Sequence, residues 1–221
     1  MPASSNIPPE SPNPEKAVSK TAISEALSPD PIPRNRWVVF LTIALLGAAA
    51  DLLTKQWMFS WRGLPGTQDP WWLIENYVGI ETAVNPGAVF GMGAGRGLLF
   101  ASLSVVAGIG IMVWLFALRA AHQWWLTIAL ACVMAGIFGN LYDRLGLWWF
   151  PEYPQEWKSG VRDWILFQAS PAWKWPNFNI ADSLLVTGAG MLLWQSFFPN
   201  NSTDRPTHTK RAPILGPHKT S

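Results

Sequence analysis

The chain has 221 residues, of which 49% are hydrophobic and only 14% charged, and its mean hydropathy is +0.14. A soluble domain carries about 25% charged residues, so the composition excludes an ordinary water-soluble globule and points to an integral membrane protein. The net charge of +2 is too small to suggest nucleic-acid binding, and a single cysteine, Cys132, excludes an internal disulfide.

Residues 1–36 are rich in Pro, Ser and Asn and lack apolar periodicity, which reads as a disordered tail. The first apolar stretch follows, roughly Trp37–Trp57. Its Arg34, Arg36 and Ala48-Ala49-Ala50 also resemble a cleavable leader, but the helical pattern runs on through DLLTKQW and favours a retained span. Further apolar stretches lie at Gly97–Leu118, Trp124–Leu145 and Phe178–Phe198. Each is long enough for a bilayer, which takes about 20 helical residues. The segment IETAVNPGAVFGM has strand character, and residues 199–221 form a second polar tail. Most of the 15 tryptophans sit between or at the edges of the apolar runs, where an indole lies half buried at the membrane interface.

With both tails cytoplasmic, nine Lys and Arg fall inside and seven outside, and Arg34, Arg36 and Arg119 flank the inner span ends. In that topology the membrane-depth polar residues gather on the outer side. Asp51 and Lys55 share a helical face near the end of the first span, and Asn140, Asp143 and Arg144 end the third. Asn179 and Asp182 open the fourth, and Asn85 and Asp163 lie in outer loops. Caps and interfacial ion pairs could account for any one of them, but not readily for a one-sided set. The inner halves of the spans are almost wholly apolar, which argues against the alternative of a small ion-coupled transporter component, whose proton relay would cross the bilayer.

No H-E-x-x-H motif occurs, no histidine is available on the outer side, and Cys132 lies mid-span without a histidine partner. Carboxylates remain. Two held close share a proton and can do acid–base work on a water and a peptide carbonyl. Elimination does not choose between Asp143 and Asp163 as the partner of Asp182.

DLLTK (51–55), NPGAVFG (85–91), GNLYDR (139–144) with VRDW (161–164), and FNIADS (178–183) together resemble the lipoprotein signal peptidases, bacterial membrane aspartic proteases. The resemblance covers roughly residues 37–198. It implies an all-α integral membrane protein with four transmembrane helices and a small extracytoplasmic β-cradle, in the bacterial inner membrane with the site near the outer leaflet. It implies cleavage of prolipoproteins just before a diacylglyceryl-modified cysteine, by Asp163 and Asp182, with no metal or other cofactor; the partners are these substrates and membrane lipid, and nothing in the sequence demands more than a monomer. Asp143 is implied to be structural, bonded with Arg144 to its surroundings. Asn85, Asn140, Arg144 and Asn179 are implied to hold substrate and order the dyad, with Asp51 and Lys55 in support. The chain departs from the family in a longer link, LGLWWFPEYPQEWKSG, in a Trp-rich QASPAWKWP, and in Arg162 beside Asp163. The stretch 146–177 reads as a possible gate over the site.

Overall fold

A computed structural model describes residues 30–87, 95–170 and 173–198. Helix α1, Arg34–Arg62, starts after Pro33, whose fixed backbone suits a helix entry, and Arg36 N–H returns to the Pro33 carbonyl at 3.0 Å. It begins inside the stretch expected to be tail. It is about 43 Å long at 1.5 Å per residue, and it ends at Gly63. The φ of +76° there suits glycine, and the Gly63 N–H closes onto the Phe59 carbonyl at 3.0 Å.

Helix α2, Gly97–Met112, continues through a π-helical turn at Val113–Ala117. A short 3₁₀ turn, Ala120–His122, leads into α3, Trp124–Arg144, and α4 covers Ile180–Phe197. Three of these helices are long and apolar enough to cross a membrane: α1, α2 with its π turn, and α3. Helix α4 is 18 residues, about 27 Å, and carries Asp182 and Gln195 towards its ends.

Helix α3 is the hub. Its most apolar window is 61% buried against 17% for α2, and it packs on all three other helices. Small residues permit the approach: a Cβ on Gly136 would strike the Ala181 carbonyl, and one on Gly139 would strike the Asp51 carboxylate. Leu46, Leu53, Leu98, Val106 and Val186 are exposed on the outside of the bundle, where a soluble protein would place polar groups. The chain is therefore an integral membrane protein.

One end of the bundle is closed by apolar packing around Phe40, Leu115, Leu126 and Leu130. There Arg36 lies 3.4 Å above the Trp124 ring and donates to the Ala121 carbonyl at 3.1 Å. The other end carries an antiparallel sheet in the order β1 (Trp71–Ile74), β2 (Val78–Asn85), β3 (Val161–Ser170), β4 (Trp173–Lys174). The stretch expected as a gate thus contributes two of its strands, and the strand character read at 80–85 belongs to β2. The β2–β3 register pairs Ala83 with Asp163 and Val84 with Arg162, after an irregularity beyond Ile80. Phe178 then bridges to Ile165, with Ile165 N–H on the Phe178 carbonyl at 2.8 Å. That bridge fixes the start of α4 against the strand bearing Asp163.

Candidate active site

The site begins with the amino end of α4, because the first N–H groups of any helix need acceptors. Asn179 is the N-cap. Its Oδ1 accepts from Asp182 N–H at 2.9 Å, while Asp182 Oδ2 accepts from Asn179 N–H at 3.2 Å, a reciprocal capping box. The intervening Ala181 N–H goes to Asp51 Oδ1 of α1 at 2.9 Å. The capping role weighed for Asn179 is therefore real, and Asp182 keeps its second oxygen for other partners. Asp182 Oδ1 accepts from Asn140 Nδ2 of α3 at 2.8 Å.

Asn179 joins this carboxylate to the next. Its amide donates to Asp163 Oδ1 at 2.7 Å and also reaches the Arg162 carbonyl at 3.3 Å and Asn140 Oδ1 at 3.2 Å. Asp163 is 2% exposed. Burial, and then the charge of Asp182, hold its carboxyl well above the usual carboxylate range, against the opposing pull of Lys55 and the Asn179 amide.

A second layer is built from ions. Lys55 lies 2.6 Å from Asp51 and 3.2 Å from Asp143, all three fully buried, and donates to Asn140 Oδ1 at 3.0 Å. Asp143 also takes the Arg162 guanidinium on Oδ1 at 2.8 and 3.1 Å and the Arg162 backbone N–H on Oδ2 at 3.0 Å. Its main cation is thus Arg162, on strand β3, and not its chain neighbour Arg144. Helix geometry does not favour a pair between the neighbours Asp143 and Arg144, since adjacent helical residues do not face each other. Arg144 instead donates to the carbonyls of Ser159 at 3.0 Å, Asn85 at 3.3 Å and Gly87. Asn85 Oδ1 accepts from Gly87 N–H at 3.0 Å, which tightens the same turn. Residues 88–91 of NPGAVFG lie outside the described residues.

A cavity of about 920 Å³ opens between α2, α3 and α4. Asp163, Asp182, Asn140, Arg144 and Asn85 line its polar end, and Phe100, Leu103, Val133, Ile137, Leu185 and Val186 its apolar walls. Asp143, Asp51 and Lys55 do not line it. A smaller depression of about 430 Å³ on the sheet side shares Asp163 and Asn85 and is bordered by the Glu81–Lys174 ion pair and Asn177. Asp163 therefore lines both spaces.

The family model for signal peptidase (SPase) II matches residues 43–198. The chain belongs to the signal peptidase II family. It is similar to the lipoprotein signal peptidase of Rhodopirellula baltica, with 65% identity over 75% of this chain and 74% of that one. The same-named protein of Rhodococcus jostii is 34% identical over 77% and 78% of the two chains. A solved bacterial membrane enzyme, at 23% identity, shares the fold with a TM-score of 0.60 over 75% of this chain and 92% of its own. This signal peptidase II is accordingly a protease of the membrane.

Reading the sequence alone misses three features of the peptidase site. One is the Arg162–Asp143 fork, although a charged pair in the otherwise apolar V-R-D-W-I-L run signals that a partner is needed. Another is the Asp51 bond to Ala181 N–H, for which α4's unfilled N–H groups were the available clue. The third is the apolar wall from α2, whose evenly hydrophobic sequence marks no face.

Proposed function

We propose that this signal peptidase II removes the signal peptide of prolipoproteins by hydrolysing the bond before a diacylglyceryl-modified cysteine, with Asp163 and Asp182 as the reacting carboxyls. The observation that carries the reading is that these two line one cavity and are joined by Asn179, while Asp143 is occupied by Lys55 and Arg162. Asp163 holds the proton, as burial and its neighbour favour. Asp182 takes N–H donors on both oxygens and acts as acceptor. Asp182 removes a proton from water as the oxygen attacks the scissile carbonyl carbon, and Asp163 donates to the carbonyl oxygen. Collapse of the tetrahedral intermediate breaks the C–N bond: Asp182 passes its proton to the leaving nitrogen while Asp163 takes back the hydroxyl proton as the new carbonyl forms, which restores both carboxyls to their starting states. Arg144 holds the Asn85 turn beside the site, and the apolar walls receive the signal segment and the acyl chains of the substrate. The chain works as a monomer in the inner membrane. Helix α4 is the fourth span, both tails are cytoplasmic, and the sheet lies at the outer face.

The test is turnover of a lipidated prolipoprotein in detergent, with folding checked. Asp163→Asn and Asp182→Asn should each lose about 10²–10⁴-fold in turnover while staying folded. A folded, inactive Asp143→Asn beside a fully active Asp163→Asn would replace Asp163 with Asp143. Turnover should also survive a chelator, and its abolition would overturn the scheme.

A further inference from the structure

Arg162 is charged, 3% exposed, and adjacent in sequence to a proposed reacting carboxyl. A lone buried guanidinium is costly, so every bond it makes is informative. Its Nε and one terminal nitrogen both hold Asp143 Oδ1, its other terminal nitrogen reaches Gln56 Oε1 at 3.4 Å, and its backbone N–H holds Asp143 Oδ2 at 3.0 Å. Its carbonyl accepts from the Asn179 amide that also holds Asp163. Two aromatic rings flank the guanidinium: Phe59 of α1, centred 5.9 Å away, and Trp148 of the 145–160 link, at 5.2 Å. Trp148 is itself fixed, 7% exposed with its indole N–H on the Gly160 carbonyl at 3.0 Å. Arg162 supplies the second cation for the two buried aspartates Asp51 and Asp143, which otherwise share Lys55, but charge balance alone needs neither the planar fork nor the flanking rings.

Successive residues of a strand point to opposite faces. Holding residue 162 on one side therefore sets where residue 163 points on the other. The β2–β3 ladder pairs Val161, Arg162 and Asp163 in regular register and is interrupted just beyond Asp163, by an extra residue of β2 between Ile80 and Ala83, so regular pairing holds Asp163 from the Arg162 side only.

We propose that Arg162 is a positioning residue that fixes the aim of Asp163, and that the long link carrying Trp148 builds the slot for its guanidinium. The planar fork on Asp143 fixes an angle as well as a distance. Arg162 does not touch substrate. It acts through Asp163, and it rests on the reading of Asp163 and Asp182 as the reacting pair.

The experiment compares the full chain with Arg162→Gln, Arg162→Lys and Trp148→Leu, measuring kcat, KM and thermal unfolding on a lipidated prolipoprotein in detergent. Arg162→Gln should lower kcat by about ten- to a hundredfold with KM within about twofold, the pattern of a misaimed group. Arg162→Lys, with the charge but not the fork, should fall between, and Trp148→Leu should lower kcat in the same direction. A kcat for Arg162→Gln within about twofold of wild type would overturn the proposal. So would a proportionate rise in KM, or failure of both Arg162 variants to fold, since either makes Arg162 a residue of general stability. Asp163→Asn is run alongside. If it retains turnover, the reacting pair is wrong; if it is inactive and Arg162→Gln is normal, only the role of Arg162 is lost.

Discussion

Asp163 and Asp143 show how two aspartates in one polar cluster receive different work. Asp143 is surrounded by cations and N–H donors and has no open side, whereas Asp163 faces a cavity and has one firm donor in the Asn179 amide. Removing Asp143 leaves the buried Arg162 without its carboxylate, while Lys55 keeps Asp51, so Asp143→Ala should lower stability by about 3–5 kcal/mol, measured by denaturation in detergent. Asp163 behaves oppositely. Its carboxyl titrates above the unfolded value, so its favourable share of stability is complete in acid and is lost as pH rises through the raised titration. Wild type should therefore lose more thermal stability between mildly acidic and alkaline pH than Asp163→Asn does. Turnover should decline over the same rise, as the proton on Asp163 is lost. A stability profile identical in the two proteins would contradict a buried, protonated Asp163.

At the scale of elements, the cap of α4 and the site are one structure. Asn179 uses its oxygen for the helix and its amide for Asp163. Asn179→Ala should cost about 1 kcal/mol of stability and also lose turnover. Asn179→Ser can restore the cap but not the amide, so it should recover the melting temperature and not the rate. Recovery of both would reduce Asn179 to a cap. The α1–α3 crossing is as tight: Gly139→Ala should overpack against Asp51 and cost about 1–3 kcal/mol, read from thermal unfolding. The apolar runs of α1, α2 and α3 and the gathering of polar residues at one end are readable from hydropathy and alternation of direction, because both depend on composition along the chain. The Arg162–Asp143 fork and the Asp51–Ala181 bond are not, because each depends on the register in which distant elements meet. Arg144 shows the difference. As a neighbour of Asp143 in sequence it seemed the natural partner, yet helix geometry turns it to the carbonyls of Asn85 and Ser159.

For the molecule as a whole, the sheet and the polar cluster share one end and the Arg36–Trp124 contact marks the other. The proposed orientation is checked by membrane-impermeant maleimide on intact cells, in a Cys132→Ala background. Leu73→Cys on β1 should label and Gln123→Cys at the opposite end should not; the reverse pattern would invert the topology. The lateral surfaces of α1, α2 and α4 are apolar over most of their length, as a lipid solvent requires.

The bond from Asp51 to Ala181 joins residues 130 apart, and Asp182 stands on the final helix. During synthesis, the first and third helices leave the ribosome well before their partner exists. With the proposed pair as the cutting groups, the protease is inert until α4 has docked, and a product cut short before Phe178 lacks Asp182 and stays inert. Under the proposed reading, activity thereby reports that synthesis has passed α4 and that its amino end has docked on α1 and α3.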